Sequence, residues 1–424
     1  MTGSDTHRTI DAIWRIESAR VIAGIARMVR DIGLAEDFAQ DALVAALEQW
    51  PESGVPDNPG AWLMAIGKRR AIDALRRKAT LERKQEELGR ALEIEQEYGQ
   101  PDLDAAIDDD IDDDMLRLIF TACHPILSAE ARVALTLRLL GGLTTDEIAR
   151  AFLVPEPTVA QRIVRAKRAL ADRRVPFEVP TGADRAARLS SVLEVIYLVF
   201  NEGYSATAGD DWLRPALCEE ALRLGRILAA LAPKEAEVHG LVALMELQAS
   251  RFKARVGPSG EPILLLDQDR MRWDRLLIRR GLAALERAEQ LGAGPGPYTL
   301  QAAIAACHAR ALAPEDTDWI RIAALYAGLA RLSASPVVEL NRAVAVGMAF
   351  GPAAGLEVID ALTDVPALKN YHLLPSVRGD LLAKLDRFEE ARAEFERAAS
   401  LTRNNREREL LLDRAAACVR GSAS

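Results

Sequence analysis

Two groups of cations carry the most legible chemistry of this 424-residue chain. The first spans residues 61–79, where Lys68, Arg69, Arg70, Arg76, Arg77 and Lys78 stand against the single acid Asp73. The second spans residues 156–170, where Gln161, Arg162, Arg165 and Arg168 interleave with the apolar Val159, Ile163 and Leu170. Guanidinium and ammonium groups neutralise phosphates, and Arg and Gln also read base edges through paired hydrogen bonds. That chemistry is binding rather than bond-making. No nucleophile–base pair, glycine-rich phosphate loop or metal-ligand spacing accompanies it, so no enzyme activity, cofactor or metal site is expected.

The elements that must position the second group are announced by local signals. Thr144 and Glu147 form a capping box that starts a short helix, and the small Ala149 lets another helix cross it closely. Pro155 and Pro157 sit where a helix begins and proline is tolerated. Val159, Ile163 and Leu170 then face a core while Gln161, Arg162, Arg165 and Arg168 point outward, as in a helix-turn-helix whose second helix enters the major groove. A structural hairpin with a solvated basic face is the alternative. The coincidence of cap, small residue, proline-initiated helix and basic face weighs against it.

The first group lies on the third helix of an N-terminal module. Ile10, Ile13, Trp14, Val21, Ile22, Ile25, Ala26 and Val29 recur at helical spacing and predict a first helix. A second begins near Ala35, with Phe38, Ala42, Leu43, Ala46, Leu47 and Trp50 on one face and Glu36, Asp37, Gln40, Asp41 and Glu48 on the rest. Pro51 and the run from Ser53 to Gly60 break it into a loop, and the basic helix follows from about Ala61 to Ala79. Trp62 opens that helix, where its ring can stack on an unpaired base or pack in the core.

The formal charge of −9 does not exclude nucleic acid, because residues 99–114 contain eight Asp and no Lys or Arg, leaving the rest of the chain near −1. Residues 83–114 read as an acidic interdomain linker that works by charge, lying along a basic channel of a partner; nothing in the Asp run fixes a cation cage. Cys123, Cys218, Cys307 and Cys418 are widely spaced and predict reduced, buried thiols. Neither an apolar leader nor an apolar run of about 20 residues appears, so a cytoplasmic protein with no membrane contact is expected. With Ala, Leu, Arg and Glu abundant and aromatics at 5%, the expected fold class is all-α.

Beyond Asp184 helices continue to Ala417. Gly379, Leu382, Ala391, Phe395 and Ala398 follow the small–large alternation of a TPR helix pair, and 36 residues earlier Ala343, Val346, Gly355, Ile359 and Leu362 repeat it. No such period is found before residue 330.

The order of Ala35-Glu36-Asp37-Phe38-Ala39-Gln40-Asp41-Ala42, the segment Ala65 to Arg77, an acidic linker and the helix-turn-helix resembles regions 2 and 4 of extracytoplasmic-function sigma factors. Leu116 to Phe120, Phe200 to Tyr204, Gln268-Asp269-Arg270, Thr317-Asp318-Trp319 and Ser335 to Arg342 resemble the subgroup with a long TPR-like C-terminal extension, so the likeness covers nearly the whole chain. The implied organisation is region 2 over residues 8–82, a linker over 83–114, region 4 over 115–178 and a helical TPR-like extension over 184–420. The implied partners are core RNA polymerase, through its β′ clamp helices and β flap, promoter DNA, and a regulatory protein on the extension. By the same resemblance, Asp37, Gln40 and Asp41 dock on polymerase. Asp57, Asn58, Trp62, Lys68, Arg69 and Arg76 melt and hold the minus-ten element, and Thr158, Gln161, Arg162 and Arg165 read the minus-thirty-five element. Lys68-Arg69-Arg70 departs from the many members that carry a neutral residue such as Asn among these cations, which bears on base preference.

Two rival readings remain. A helix-turn-helix regulator with a helical sensor would bind duplex DNA alone and has no need of the Asp37–Asp41 face. An enzyme would place its site around Asn201, Glu202, Tyr204, Gln268, Asp269, Arg270 and Asp318, residues that equally suit capping and buried hydrogen bonding. Cys123 and His124 form an isolated pair suited to packing.

Overall fold

The structure, a computed structural model, describes residues 3–89, 111–152, 154–205, 213–258, 260–292, 294–333 and 335–421. It is all-helical as expected: among the described residues the only β pairing is an isolated bridge between Val256 and Pro262. The chain divides into two compact units, Met1–Val195 and Ile196–Ser424.

The first unit opens with three helices, α1 (Gly3–Val29), α2 (Ile32–Ser53) and α3 (Pro59–Gly89). The predicted apolar stripe of α1 is buried through Ile10, Val21, Ile22, Ile25 and Ala26. Helix α2 starts earlier than its apolar pattern suggests because Asp31 caps it, its carboxylate accepting from the N–H groups of Gly33 (2.7 Å) and Leu34 (3.0 Å). Pro51 does not end α2. It falls in the last turn, where one missing donor costs little, and Gly54 at φ +83° terminates the helix with its N–H on the Trp50 carbonyl.

Both ends of the stretch read as linker are helical, since α3 reaches Gly89 and α4 (Ile111–Ala122) begins inside the Asp run. Asp113 and Asp114, on the first turn of α4, gain from its dipole and pair with Arg117 at 2.5 and 2.6 Å, and Asp114 also faces Arg27 at 3.6 Å. These two acids therefore have cations from outside the run. Asp102, Asp104, Asp108, Asp109 and Asp110 lie outside the described residues.

Helices α5 (Ala129–Leu139), α6 (Thr145–Phe152) and α7 (Glu156–Asp172) follow, with α7 packed on both others. Helix α8 (Gly182–Tyr204) begins in the first unit and continues into the second. Its front half is built into the first unit. Ser191 donates to the Cys123 carbonyl (2.6 Å) and accepts from the buried Arg132, which also pairs with Glu194 at 3.0 Å, while Arg188 donates to the Phe120 carbonyl at 3.0 Å.

The second unit continues with α9 (Pro215–Leu231), α10 (Ala236–Ala249), α11 (Arg275–Leu291), α12 (Pro297–Arg310), α13 (Trp319–Leu332), α14 (Pro336–Phe350), α15 (Pro352–Asp360), α16 (Leu373–Ala383), α17 (Phe388–Leu401) and α18 (Asn405–Gly421). The 36-residue repeat corresponds to one helix crossing made twice. A Cβ on Gly379 of α16 would sit 3.1 Å from the Ala391 carbonyl of α17, and one on Gly355 of α15 would sit 2.8 Å from the Ala343 carbonyl of α14. The smallest residue has changed helices while the close approach is kept. Earlier in the unit α10 packs on both α11 and α12, and three 3-10 turns intervene between α10 and α11, which explains why no two-helix period is legible there.

Candidate nucleic-acid interface

The helix-turn-helix is built as its residues dictate. Thr144 Oγ1 accepts from the Glu147 N–H at 3.1 Å and a Glu147 carboxylate oxygen accepts from the Thr144 N–H at 2.8 Å, closing the capping box at the start of α6. Ile148 and Ala149 are buried beneath α7, whose Val159, Ile163, Ala166 and Leu170 face them. Pro155 stands at the N-cap of α7 and Pro157 in its first turn. Outward, Gln161, Arg165 and Arg168 are exposed and Thr158 and Arg162 half-buried. Thr158, Gln161 and Arg165 follow one another at spacings of three and four and share a stripe. Arg162 is turned further toward its own module, where its charge helps to lower the Glu130 carboxyl after the hydrogen bonds of that residue's backbone N–H and Ser128.

On α3, Trp62, Arg69 and Arg76 recur every seven residues and so share a face. Arg69 and Arg76 are exposed, whereas Trp62 is half-buried with its ring edge-on to Trp50 at 5.2 Å, meeting core and surface at once. Lys68 is off this stripe. Burial, and then the Arg27 charge, lower its pKa, with Asp114 opposing, which sets it toward α1 and α4. Asp57 and Asn58 are exposed at the turn, and Asn58 caps α3 by accepting from the Ala61 N–H at 3.1 Å.

The face expected to meet polymerase is only partly open. Asp37 is exposed, but Gln40 donates to Glu36 at 2.6 Å and Asp41 pairs with Arg70 at 3.3 Å. A groove of about 400 Å³ between α2 and α3 is lined by Phe38, Asp41, Arg69, Arg70, Asp73 and Arg77 among others.

Glu36, expected on the polar side of α2, is instead 3% exposed. It joins the N-terminal helical module to the helix-turn-helix: its carboxylate receives Arg138 Nε of α5 at 2.6 Å and Lys167 Nζ of α7 at 2.5 Å. Burial raises its pKa, yet the two cations and their hydrogen bonds outweigh burial and hold it below the usual range. Arg15 of α1 and Glu147 of α6 form a second, more exposed pair across the same contact. A signal for this lay in the helical register. Glu36 falls on the stripe of Ile32 and Ala39, and Lys167 between Ile163 and Leu170, so each is a charge on an apolar face.

Five of the seven residues around which an enzyme would place its site have structural side-chain partners. Asp269 and Asp318 cap helical turns, Glu202 pairs with Arg214, Gln268 donates to the Ile263 carbonyl, and Arg270 donates to the carbonyls of His308 and Ala311 and to Thr317 Oγ1. Cys123 packs against Thr136 with burial pushing its thiol up to about 11, and His124 accepts from the Ile126 N–H with burial pushing it down to about 4. All four thiols are free and buried. No helix among the described residues is long and apolar enough to cross a membrane.

Comparison with known proteins matches residues 16–80 to sigma-70 region 2, residues 117–170 to sigma-70 region 4, and residues 188–289 to a family of unknown function, DUF6596. An uncharacterized protein of Rhizobium meliloti is 44% identical over 393 residues, 91% of this chain and 90% of its own. A probable ECF RNA polymerase sigma factor, SigI, of Mycobacterium tuberculosis is 27% identical over 183 residues, 42% of this chain and 60% of that protein. The ECF RNA polymerase sigma factor SigK of Mycobacterium bovis is 29% identical over 161 residues, covering 36% and 78% respectively.

Proposed function

The chain belongs to the extracytoplasmic-function sigma-70 family and carries a helical C-terminal extension, and from that premise we propose how its parts divide the work of transcription initiation. Sigma-70 regions 2 and 4 bind core RNA polymerase and promoter DNA, and region 4 supplies DNA binding; the protein acts in initiation by binding, without covalent catalysis. In our reading, residues 8–82 act as region 2, with Asp37, Gln40 and Asp41 meeting the β′ clamp helices. Asp57, Asn58, Trp62, Lys68, Arg69 and Arg76 hold the melted minus-ten element. Residues 115–178 act as region 4 against the β flap, with Thr158, Gln161, Arg162 and Arg165 reading the minus-thirty-five element. The extension, residues 184–420, is TPR-like and regulatory, contacting a regulatory protein or the sigma modules.

The observation that carries this reading is the presence of two outward basic stripes, Trp62-Arg69-Arg76 on α3 and Thr158-Gln161-Arg165 on α7, within one unit. Two elements centred near minus ten and minus thirty-five are separated by ~25 base pairs, or ~85 Å at 3.4 Å per pair. We read modules held against each other by the Glu36 carboxylate and the Arg15–Glu147 pair as too close to span that distance, which makes this contact a resting state that opens on engagement. Run-off transcription with core polymerase and genomic fragments tests the whole reading. A promoter-dependent transcript is expected; duplex DNA binding with no such transcript on any fragment gives the place to the simple regulator.

A further inference from the structure

The second unit holds a cavity, open to solvent on one side, of about 460 Å³, within the span of small-molecule sites, roughly 300–1,000 Å³. Arg251, 8% exposed, lies in its wall, and no acidic side chain is among the lining residues. Three buried arginines meet in this part of the unit, and they are not equivalent. Arg270 donates to two carbonyls and Thr317 Oγ1, and Arg255 donates to the Tyr204 carbonyl. Arg251 has its guanidinium beside the rings of Tyr204 and Trp273, at 5.7 and 5.8 Å, and its side chain has no hydrogen-bond or ion-pair partner among the described residues. A buried cation without a counter-charge is costly, and proteins ordinarily pair or hydrogen-bond such groups.

Other polar atoms at the same cavity are equally unspent. Gln248 Oε1 and His308 Nδ1 are buried without partners. His308 is neutral, because burial and then the charges of Arg251 and Arg270 push it down to about 3, and burial pushes the Tyr326 phenol up to about 12. The wall therefore presents one fixed positive charge and several neutral hydrogen-bonding groups. Leu244, Ile304 and Leu329 supply an apolar side, and Asn341, exposed on α14, stands at the rim.

We propose that this cavity is a ligand site for a small organic oxyanion, carboxylate or phosphate, whose charged end pairs with Arg251, whose apolar body lies on Leu244, Ile304 and Leu329, and which offers Gln248 a hydroxyl or amino donor. Arg suits both oxyanions through its planar fork, so the head group is decided by the remaining shape and donors. Occupancy would give the extension a chemical input; that consequence rests on the regulatory reading above, whereas binding itself does not.

Titration calorimetry and thermal unfolding of the full-length protein test the site with 4-hydroxyphenylacetate, phenyl phosphate, inorganic phosphate and the neutral 4-hydroxybenzyl alcohol. At least one organic anion binds saturably at one site per chain, and the neutral alcohol binds at least tenfold more weakly. Preference for 4-hydroxyphenylacetate or for phenyl phosphate separates a carboxylate from a phosphate ligand. Arg251→Gln weakens the favoured anion at least tenfold and Arg251→Lys by less. Asn341→Trp, at the exposed rim, blocks binding without touching the core, which keeps the test decisive should Arg251→Gln not fold. Absence of saturable binding by either organic anion, equal binding of the alcohol, or anion binding undiminished in folded Arg251→Gln or Asn341→Trp protein overturns the proposal. These readouts need no polymerase, so they stand or fall apart from transcription.

Discussion

Replacing Lys167 by Met should open the contact between the two DNA-facing modules while keeping most of the side-chain stem in place. In the closed form Lys167 Nζ lies 2.5 Å from Glu36, and the Lys167 side chain is only 20% exposed. A hydrogen bond to a charged group contributes about 1.5–3 kcal/mol. Residual solvent access favours the lower end, and about 1.4 kcal/mol is a tenfold change in the closed-to-open ratio. Glu36→Gln removes the acceptor of both cations and leaves Arg138 and Lys167 facing a neutral amide, so its effect is larger, about 3–5 kcal/mol as for other broken buried pairs. The two changes share one carboxylate and will not add. Dyes on Glu52→Cys and Arg173→Cys, both exposed sites, report the separation by single-molecule energy transfer, the four native thiols being buried. The sign of the pH response follows from the depressed Glu36 pKa. A lowered carboxyl stabilises the closed form above its open-state pKa and loses that contribution as pH falls through the closed-state value. Wild-type protein should therefore open as pH drops below the ordinary glutamate value of 4.5, and Glu36→Gln should show no such response. An unchanged energy-transfer distribution in Lys167→Met and Glu36→Gln would refute the idea that this carboxylate holds the modules together.

Two further outcomes are expected. Arg165→Ala should weaken recognition of the upstream promoter element by about 1–3 kcal/mol and lower the salt slope of DNA binding by about one, with polymerase affinity unchanged in a pull-down; an equal loss of polymerase binding would make the residue structural. A fragment ending at residue 182 should be less stable than one ending at 205 by at least about 1–3 kcal/mol in urea unfolding, because the shorter one strips Ser191 and Glu194 from the buried Arg132; equal stability would mean that the front half of α8 contributes nothing to the first unit.

What the amino-acid order disclosed, and what it hid, divides along the range of the interactions. The capping box of Thr144 and Glu147 is local chemistry three residues apart, and it forms where its spacing places it. The Gly379–Ala391 crossing and its copy at Ala343–Gly355 were legible because one packing demand, close approach of two helices, leaves small residues at a fixed period. Pro51 does not act as the breaker its residue type announces, because a breaker acts through its place in the helix, and in the last turn there is little left to break. Glu36 and Lys167 were half legible: register puts each on an apolar stripe, which announces an unusual burial, but not that the two residues, 131 positions apart, would meet. Arg251 was not legible at all. It is distinguished from Arg255 and Arg270 only by bonds it does not make, and the want of a partner is a property of the folded surroundings. Local and periodic demands write themselves into the order of residues, while long-range pairing, and its absence, exists only once the helices have met. The two features proposed to govern this protein, a carboxylate shared between modules and a cation without a counter-ion, both belong to that second kind.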